Sequence, residues 1–214
     1  MLLDRKRSLA VAAGAAAVAL TLSACSTETD GSSADANATA TVVTTTTQLG
    51  SIAEQITECA GGHTQILMSA ADDPHQFEAS SAQIADMITA DLVITNGLGL
   101  ESAMQRSLDN AVTDGAEVLE LAPKLDPLPL EEDQDHAHDQ HDDHDHDHGA
   151  YDPHIWLDVA RMADGAALMG EQIADVTGDD TYVTCGQEVA AELQDVDAEI
   201  VELLGEVDSA KLVT

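Results

Sequence analysis

Positive charge is scarce in this chain. Lys and Arg number 7 against 41 Asp and Glu, a formal net charge of −34 over 214 residues. A field so negative disfavours nucleic acid and anionic membrane surfaces as partners and favours cations. Most of the acidity reads as a solvating surface. Enzyme signatures are missing too: there is no His-Glu-x-x-His of a zinc hydrolase and no Gly-x-Ser-x-Gly elbow of a serine hydrolase. The two histidines singled out below also lack a neighbouring glutamate placed as a general base. The chain therefore reads as a binding protein rather than an enzyme.

Nor is any apolar run long enough to span a bilayer. The longest, Leu9 to Leu22, is rich in Ala and Val, follows the basic Arg5-Lys6-Arg7 and ends in Leu22-Ser23-Ala24-Cys25. A basic n-region, a short apolar h-region and a small-residue cleavage site make a signal peptide, residues 1–24. Its ending looks like a bacterial lipobox, which implies cleavage before Cys25 and lipidation of that cysteine. The expected location is extracytoplasmic, on a lipid anchor in the membrane. Residues 26–40 are small and polar, a flexible tether between lipid and domain.

Cysteine is equally sparse, with three in all. Beyond Cys25 only Cys59 and Cys185 remain, and outside the cytoplasm such a pair is often oxidised, so a Cys59–Cys185 disulfide is expected. The alternative, a free thiol serving as a metal ligand, lacks any metal-ligand spacing between the two.

Against these absences stands one strongly biased stretch. Residues 131–148, EEDQDHAHDQHDDHDHDH, hold nine carboxylates and six histidines (His136, His138, His141, His144, His146, His148) with no Lys or Arg. Such a segment cannot build a core and is expected to be a hydrated loop. It is followed by Asp152-Pro153-His154 and the apolar Ile155-Trp156-Leu157, and Asp73-Pro74-His75 upstream repeats the pattern. In each case proline fixes its own φ and drives the preceding Asp out of the α region, so the histidine leaves a stiff turn. A lone histidine in an Asp-Pro turn is ordinarily just a surface residue. Two of them beside a His-rich loop suit a cation that accepts imidazole nitrogen. Asp73 and Asp152 could orient the imidazoles by hydrogen bonding, or could simply shape their turns. His63 reads as a surface residue in a turn, and Phe77 and Trp156 as packing beside the ligands.

The remaining chain alternates strands and helices. Val42–Thr45, Thr64–Leu67, Leu92–Thr95 and Glu117–Leu121 have strand character. Between them lie helical patterns: Leu49 to Ile56 ended by Gly61-Gly62, a capping box at Ser80/Gln83, and residues 102–111. Alternation of this kind predicts a parallel sheet with helices on both faces and a ligand site beyond the carboxyl ends of the strands. Asp158 is a candidate N-cap for a helix to about Val176, and Tyr182 to Gly205 carries an amphipathic pattern of more than five turns. Lys211–Thr214 looks like the opening of a further strand, which suggests that the natural protein continues.

Thr44-Thr45-Thr46-Thr47-Gln48-Leu49, DPHQFE, ADLVITNGLGLE at 90–101, the His-rich acidic run and DPHIWLD at 152–158 together resemble the substrate-binding lipoproteins of zinc and manganese ABC importers, the ZnuA/TroA-like zinc-uptake family. The resemblance covers about residue 42 to the end. It implies an α/β fold of periplasmic-binding-protein type with a helical backbone. An N-terminal metal-binding lobe (residues 41–181) would be joined by a long linking helix (182–205) to a second lobe, of which 206–214 would be the start and the rest is absent. It also implies one metal ion in the cleft, His75 and His154 as the N-lobe ligands, and a membrane permease as partner of a monomeric receptor. The family's remaining ligands, a further His and a carboxylate, would follow Thr214, so this chain would hold half a site. Zn²⁺ favours imidazole-rich tetrahedral sets and Mn²⁺ more oxygen. The six loop histidines favour zinc as cargo, caught by the loop, with manganese the alternative. The loop could instead be a charged spacer, and a surface zinc buffer or adhesin is the rival function.

Overall fold

The computed structural model describes residues 39–130, 150–205 and 207. The signal peptide, Cys25, most of the tether, the six loop histidines and the strand expected at 211–214 lie outside the described residues.

Four short strands form one parallel sheet: β1 (Thr41–Thr44), β2 (His63–Ile66), β3 (Leu92–Thr95) and β4 (Val118–Glu120), in the order β2-β1-β3-β4. Helix α1 (Thr47–Ala60) connects β1 to β2, α2 (Ser81–Thr89) precedes β3, and α3 (Gln105–Thr113) precedes β4. Parallel neighbours need such crossovers, and the crossovers cover both faces. Alternation along the strands divides the core accordingly. Val42, Ile94 and Leu119 face α1 and the two later helices, α4 (Val159–Thr177) and α5 (Thr181–Gly205). Val43 and Val93 face Met87 of α2 and Leu108 and Ala111 of α3.

Helix ends follow their local chemistry. The Thr46 side chain caps α1 by accepting from the Leu49 N–H, and Gly61 closes it in the left-handed region at φ 82°. The Ser80/Gln83 capping box is formed: the Ser80 hydroxyl accepts from the Gln83 N–H, and the Gln83 carboxamide oxygen accepts from the Ser80 N–H. Asp158 caps α4 by accepting from the Arg161 N–H at 3.0 Å and also pairs with the Arg161 guanidinium. Two expectations need correction. Within the helical stretch expected at 102–111, residues 102–104 form a 3₁₀ turn and α3 begins at Gln105 and runs on to Thr113. His63 is exposed but opens β2 instead of sitting in a turn, its N–H donating to the Ala40 carbonyl at 2.8 Å.

Helices α4 and α5 make a hairpin across the three-residue connection 178–180, with Gly178 at φ 73°. They touch at two glycines. A Cβ added at Gly170 would lie 2.5 Å from the Tyr182 carbonyl oxygen, and one at Gly186 would lie 2.8 Å from the Ala166 carbonyl oxygen. One residue before Gly186, Cys185 is joined to Cys59 at the end of α1, with Cα atoms 6.0 Å apart. The buried Tyr182 reaches the start of the sheet, where its hydroxyl accepts from the Ala40 N–H at 3.3 Å. Among the described residues no helix is long and apolar enough to cross a membrane.

Candidate metal centre

The carboxyl ends of β1 and β3 run into Thr45-Thr46 and Asn96-Gly97, all but Gly97 buried. Strand ends in a sheet interior leave peptide groups to be satisfied, and here one carboxyl group does much of it. Glu101 is 3% exposed, and it accepts the Thr45 hydroxyl at 2.7 Å, the Asn96 N–H at 2.7 Å and the Gly97 N–H at 3.0 Å. Burial pushes its carboxyl above the ordinary value, and these donors oppose that shift. The chain folds back on itself to place Glu101 there, through three successive left-handed residues: Gly97 (φ 83°), Leu98 (φ 54°) and Gly99 (φ 77°). Glycine takes up that conformation without a side-chain clash, whereas Leu98 holds it at a cost of about 1–2 kcal/mol. The spacing Asn-Gly-Leu-Gly-Leu-Glu thus encodes a loop that closes on its own first peptide.

Asn96 carries the connection outward. Its side-chain amide donates to the Gly97 carbonyl at 3.1 Å and, across 57 residues of sequence, to the Pro153 carbonyl at 2.9 Å. The turn 152–154 is thereby seated on the sheet end. Within it, Asp152 Oδ1 accepts the His154 N–H at 2.9 Å and lies 2.6 Å from His154 Nδ1. The first of these contacts lowers the Asp152 carboxyl most; burial opposes it, and the ring's hydrogen bond and charge add smaller lowering effects, leaving the carboxyl below its ordinary value. An ionised carboxylate only accepts, so in the neutral imidazole this contact puts the proton on Nδ1 and presents the lone pair at Nε2, the tautomer a metal requires. Trp156 stands edge-on to the imidazole with ring centroids 5.2 Å apart.

The second Asp-Pro-His turn is built differently. Asp73 accepts the His75 N–H at 3.0 Å and the Gln76 side-chain amide at 2.7 Å, so this carboxylate shapes the turn. Phe77 packs against the α2/α3 side of the core, and Trp156 against the other.

The two imidazoles, 79 positions apart in sequence, come together with ring centroids 6.0 Å apart and ring planes inclined at 63°. A ring nitrogen binds zinc at about 2.0–2.1 Å, which puts each centroid roughly 3.2 Å from the ion. Two ligating rings are then separated by about 5.2 Å at a tetrahedral angle and about 6.4 Å when opposed. The observed spacing lies between these limits, a separation compatible with one ion shared by the two rings. Among the described residues no group of three or more His, Cys, Asp or Glu side chains could hold an ion. A groove of about 500 Å³ flanks the His154 side, walled by Leu157 and by Ile200, Val201 and Leu204 of α5.

The sequence pattern singled out His75 and His154, and the fold brings them together. It did not single out Thr45, Asn96 and Glu101 as parts of the site. A buried-type Asn-Gly followed by a carboxylate four residues after the glycine was the available signal, since an acid inside an otherwise apolar run needs partners. The ends of the 131–149 segment meet: the Leu130 N–H donates to the Ala150 carbonyl at 3.1 Å and the Asp152 N–H to the Leu128 carbonyl at 2.8 Å. That neck lies immediately before the His154 turn, while the segment's histidines themselves are outside the described residues.

Fold and paired imidazoles define a class, an α/β lobe that offers a ligand site beyond the carboxyl ends of its parallel strands. The family follows from comparison: residues 42–214 match the sequence model of the zinc-uptake complex component A periplasmic (ZnuA) family, and the chain belongs to that family. The family is one of substrate-binding proteins, not an enzyme class. Among curated relatives, the manganese-binding lipoprotein MntA of Halalkalibacterium halodurans is 28% identical over 153 residues, 70% of this chain and 44% of that protein. The zinc-binding protein TroA of Treponema pallidum is 31% identical over 117 residues, 53% of this chain and 33% of that protein. The chain thus spans less than half the length of these relatives. Among solved structures, Zn(II)-bound AdcA from Streptococcus pneumoniae superposes with a TM-score of 0.65 at 18% identity, over 80% of this chain and 34% of that one. The periplasmic zinc-binding protein TroA from Treponema pallidum gives 0.63 at 22% identity, over 77% and 55% respectively. At these identities the likeness shows the fold.

Proposed function

We propose that this chain is the N-terminal part of an extracytoplasmic, lipid-anchored receptor that binds one divalent metal ion and delivers it to a membrane permease of the ABC type. The observation that carries the reading is the pair His75 and His154, on two Asp-Pro turns with their rings 6.0 Å apart at the open end of the sheet. Two imidazoles supply half of a tetrahedral zinc shell, and the rest of the protein supplies the remaining ligands. Family membership and the names of the relatives support a metal as cargo; one relative is named for manganese and one for zinc. Zinc is favoured here because imidazole suits it better than it suits manganese, which prefers oxygen ligands.

The loop histidines at 136, 138, 141, 144, 146 and 148 act as an auxiliary capture segment. Its neck joins the structure next to the His154 turn, so zinc held loosely on the segment is concentrated at the mouth of the site. The Cys59–Cys185 bond ties the linking helix to the lobe. A surface zinc buffer or adhesin is the rival reading, in which the segment is the whole activity. Zinc titration by calorimetry, with manganese as competitor, is run on this chain and on the longest natural form of the protein. A single tight site lost in His75→Ala and His154→Ala and kept after deletion of 131–148 supports the receptor. Several weak sites that vanish with the segment and ignore both substitutions leave a buffer.

A further inference from the structure

The hydrogen bonding around Asn96 goes beyond a pair of ligands. Asn96 is fully buried, and among the described residues its side-chain amide is the one hydrogen-bond donor joining the 152–157 turn to the ends of the strands. The other hydrogen bonds of that turn are internal or run to the loop neck, among them Ile155 N–H to the Pro153 carbonyl at 2.9 Å, Leu157 N–H to the His154 carbonyl at 3.2 Å, and Asp152 N–H to the Leu128 carbonyl at 2.8 Å, while Ile155 and Trp156 also pack against the core. The Pro153 carbonyl belongs to the peptide that leads directly into His154. Its position sets where the His154 Cα stands, and Asp152 then sets the ring.

Asn96 is itself held firmly. Its N–H and that of Gly97 are both bonded to Glu101, which is bonded in turn to Thr45 at the end of β1. A continuous path of hydrogen bonds thus runs from β1 through Glu101 and the Asn96 backbone to the Asn96 amide, the Pro153 carbonyl and the peptide of His154. One further feature separates a positioning role from simple packing. The Asn96 carboxamide oxygen is buried with no hydrogen-bond partner in the structure. An orphaned acceptor costs stability, and an apolar replacement would remove it only by leaving the Pro153 carbonyl without its donor. Asparagine at this point is costly for the fold and useful for its donor.

We propose that Asn96 is a positioning residue of the metal site, fixing His154 through the Pro153 carbonyl and itself fixed by Glu101. The inference deepens the metal-receptor reading and rests on it. Groups that orient a metal-ligating histidine typically change affinity by about 10–100-fold when removed. Asn96→Leu keeps the branched shape and the number of heavy atoms, though it is bulkier, and removes both the donor and the orphaned oxygen. Asn96→Asp keeps the shape but turns an oxygen toward the Pro153 carbonyl.

The test measures zinc affinity, thermal unfolding without metal, and the ¹⁵N signals of the His154 ring in wild type, both variants and His154→Ala, in the longest natural form of the protein. The expected result is that Asn96→Leu still folds, unfolding somewhat earlier because the Pro153 carbonyl loses its donor, binds zinc about tenfold or more weakly, and loses the single Nδ1-protonated ring signal of His154. Asn96→Asp is expected to show the same losses of affinity and ring order. Zinc affinity within twofold of wild type, with an unchanged ring signal, in either folded variant overturns the proposal. Failure of both variants to fold overturns it as well, since it assigns Asn96 to stability alone. Should His154→Ala bind zinc as wild type does, the receptor reading itself fails, and the ring signals still report on Asn96 independently of metal.

Discussion

Replacing Gly186 or Gly170 by alanine tests the helix crossing with a clear sign. On propensity alone, glycine to alanine inside a helix stabilises by about 1 kcal/mol. At this crossing the new methyl has nowhere to go. At Gly186 it would meet the Ala166 carbonyl oxygen at 2.8 Å and the Gly170 Cα at 2.9 Å, and at Gly170 the Tyr182 carbonyl oxygen at 2.5 Å. These are backbone atoms, so rotamer changes give no relief and the helices must part by roughly 0.5–1 Å to restore van der Waals separation. Parting loosens the contacts of Met169, Ile173, Tyr182 and Val189, and a gap of that width forfeits a quarter to a half of each dispersion contact. Overpacking of this kind costs about 1–3 kcal/mol. The balance is a net destabilisation of about 1–2 kcal/mol for each variant, larger for Gly170→Ala. The double variant should lose less than the sum, because one displacement relieves both clashes. Gly205→Ala serves as control, since nothing lies within 4 Å of its added methyl. Equilibrium urea unfolding followed by circular dichroism reads the difference. Zinc affinity should hold within about twofold, because Gly170 lies some 18 Å along α4 from its capping residue Asp158 at 1.5 Å per residue. A gain of about 1 kcal/mol in either variant would refute the reasoning, showing propensity to outweigh a crossing that is looser than described.

Three further outcomes follow from the same structure. The Cys59–Cys185 bond closes a loop with a sequence separation of 126, for which chain entropy predicts about 5 kcal/mol of stabilisation; the double serine variant should unfold at much lower urea, and a change under about 1 kcal/mol would contradict a native disulfide. Because the Asp152 carboxyl is held below its ordinary 3.8, the stability it contributes is fully present above that value and is lost as pH falls through the depressed folded value. Asp152→Asn should flatten that part of the acid limb in denaturation series from about pH 5 to 2 and weaken zinc about tenfold or more, and an unchanged acid limb would count against the contact. Deleting 131–148 should leave unfolding within about 0.5 kcal/mol of wild type, since the chain on either side already meets at Leu130 and Ala150. The same deletion should lower the number of weakly bound zinc ions, and unchanged zinc uptake under scarcity would make the segment a spacer.

Much of the fold was legible because it depends on local chemistry. The β-branched run at 42–45, the Ser80/Gln83 box, Gly61 as a left-handed stop and Asp158 as a cap each declare themselves within four residues, and each forms. The repeated Asp-Pro-His was legible for the same reason, as proline acts on its neighbour. What escaped is non-local. Asn96 bonds Pro153 across 57 residues, and nothing beside Asn96 in the sequence announces that partner. The burial of Glu101 depends on three successive left-handed residues that bring it back to β3, which no neighbouring residue announces. Gly170 and Gly186 look like ordinary weak points in two helices until the helices are seen to touch there. His63 was placed in a turn because Gly61-Gly62 precedes it, whereas pairing with Thr41 draws it into β2.

The most direct measurement is zinc K-edge X-ray absorption on the protein loaded with one equivalent of zinc, in wild type, His75→Ala and His154→Ala. Two imidazoles shared by one ion predict the multiple-scattering signature of at least two histidine rings with nitrogen at about 2.0 Å in wild type, reduced by one ring in each variant. A wild-type spectrum without that signature, or spectra that both variants leave unchanged, would show that the ion sits elsewhere and that His75 and His154 are not its ligands.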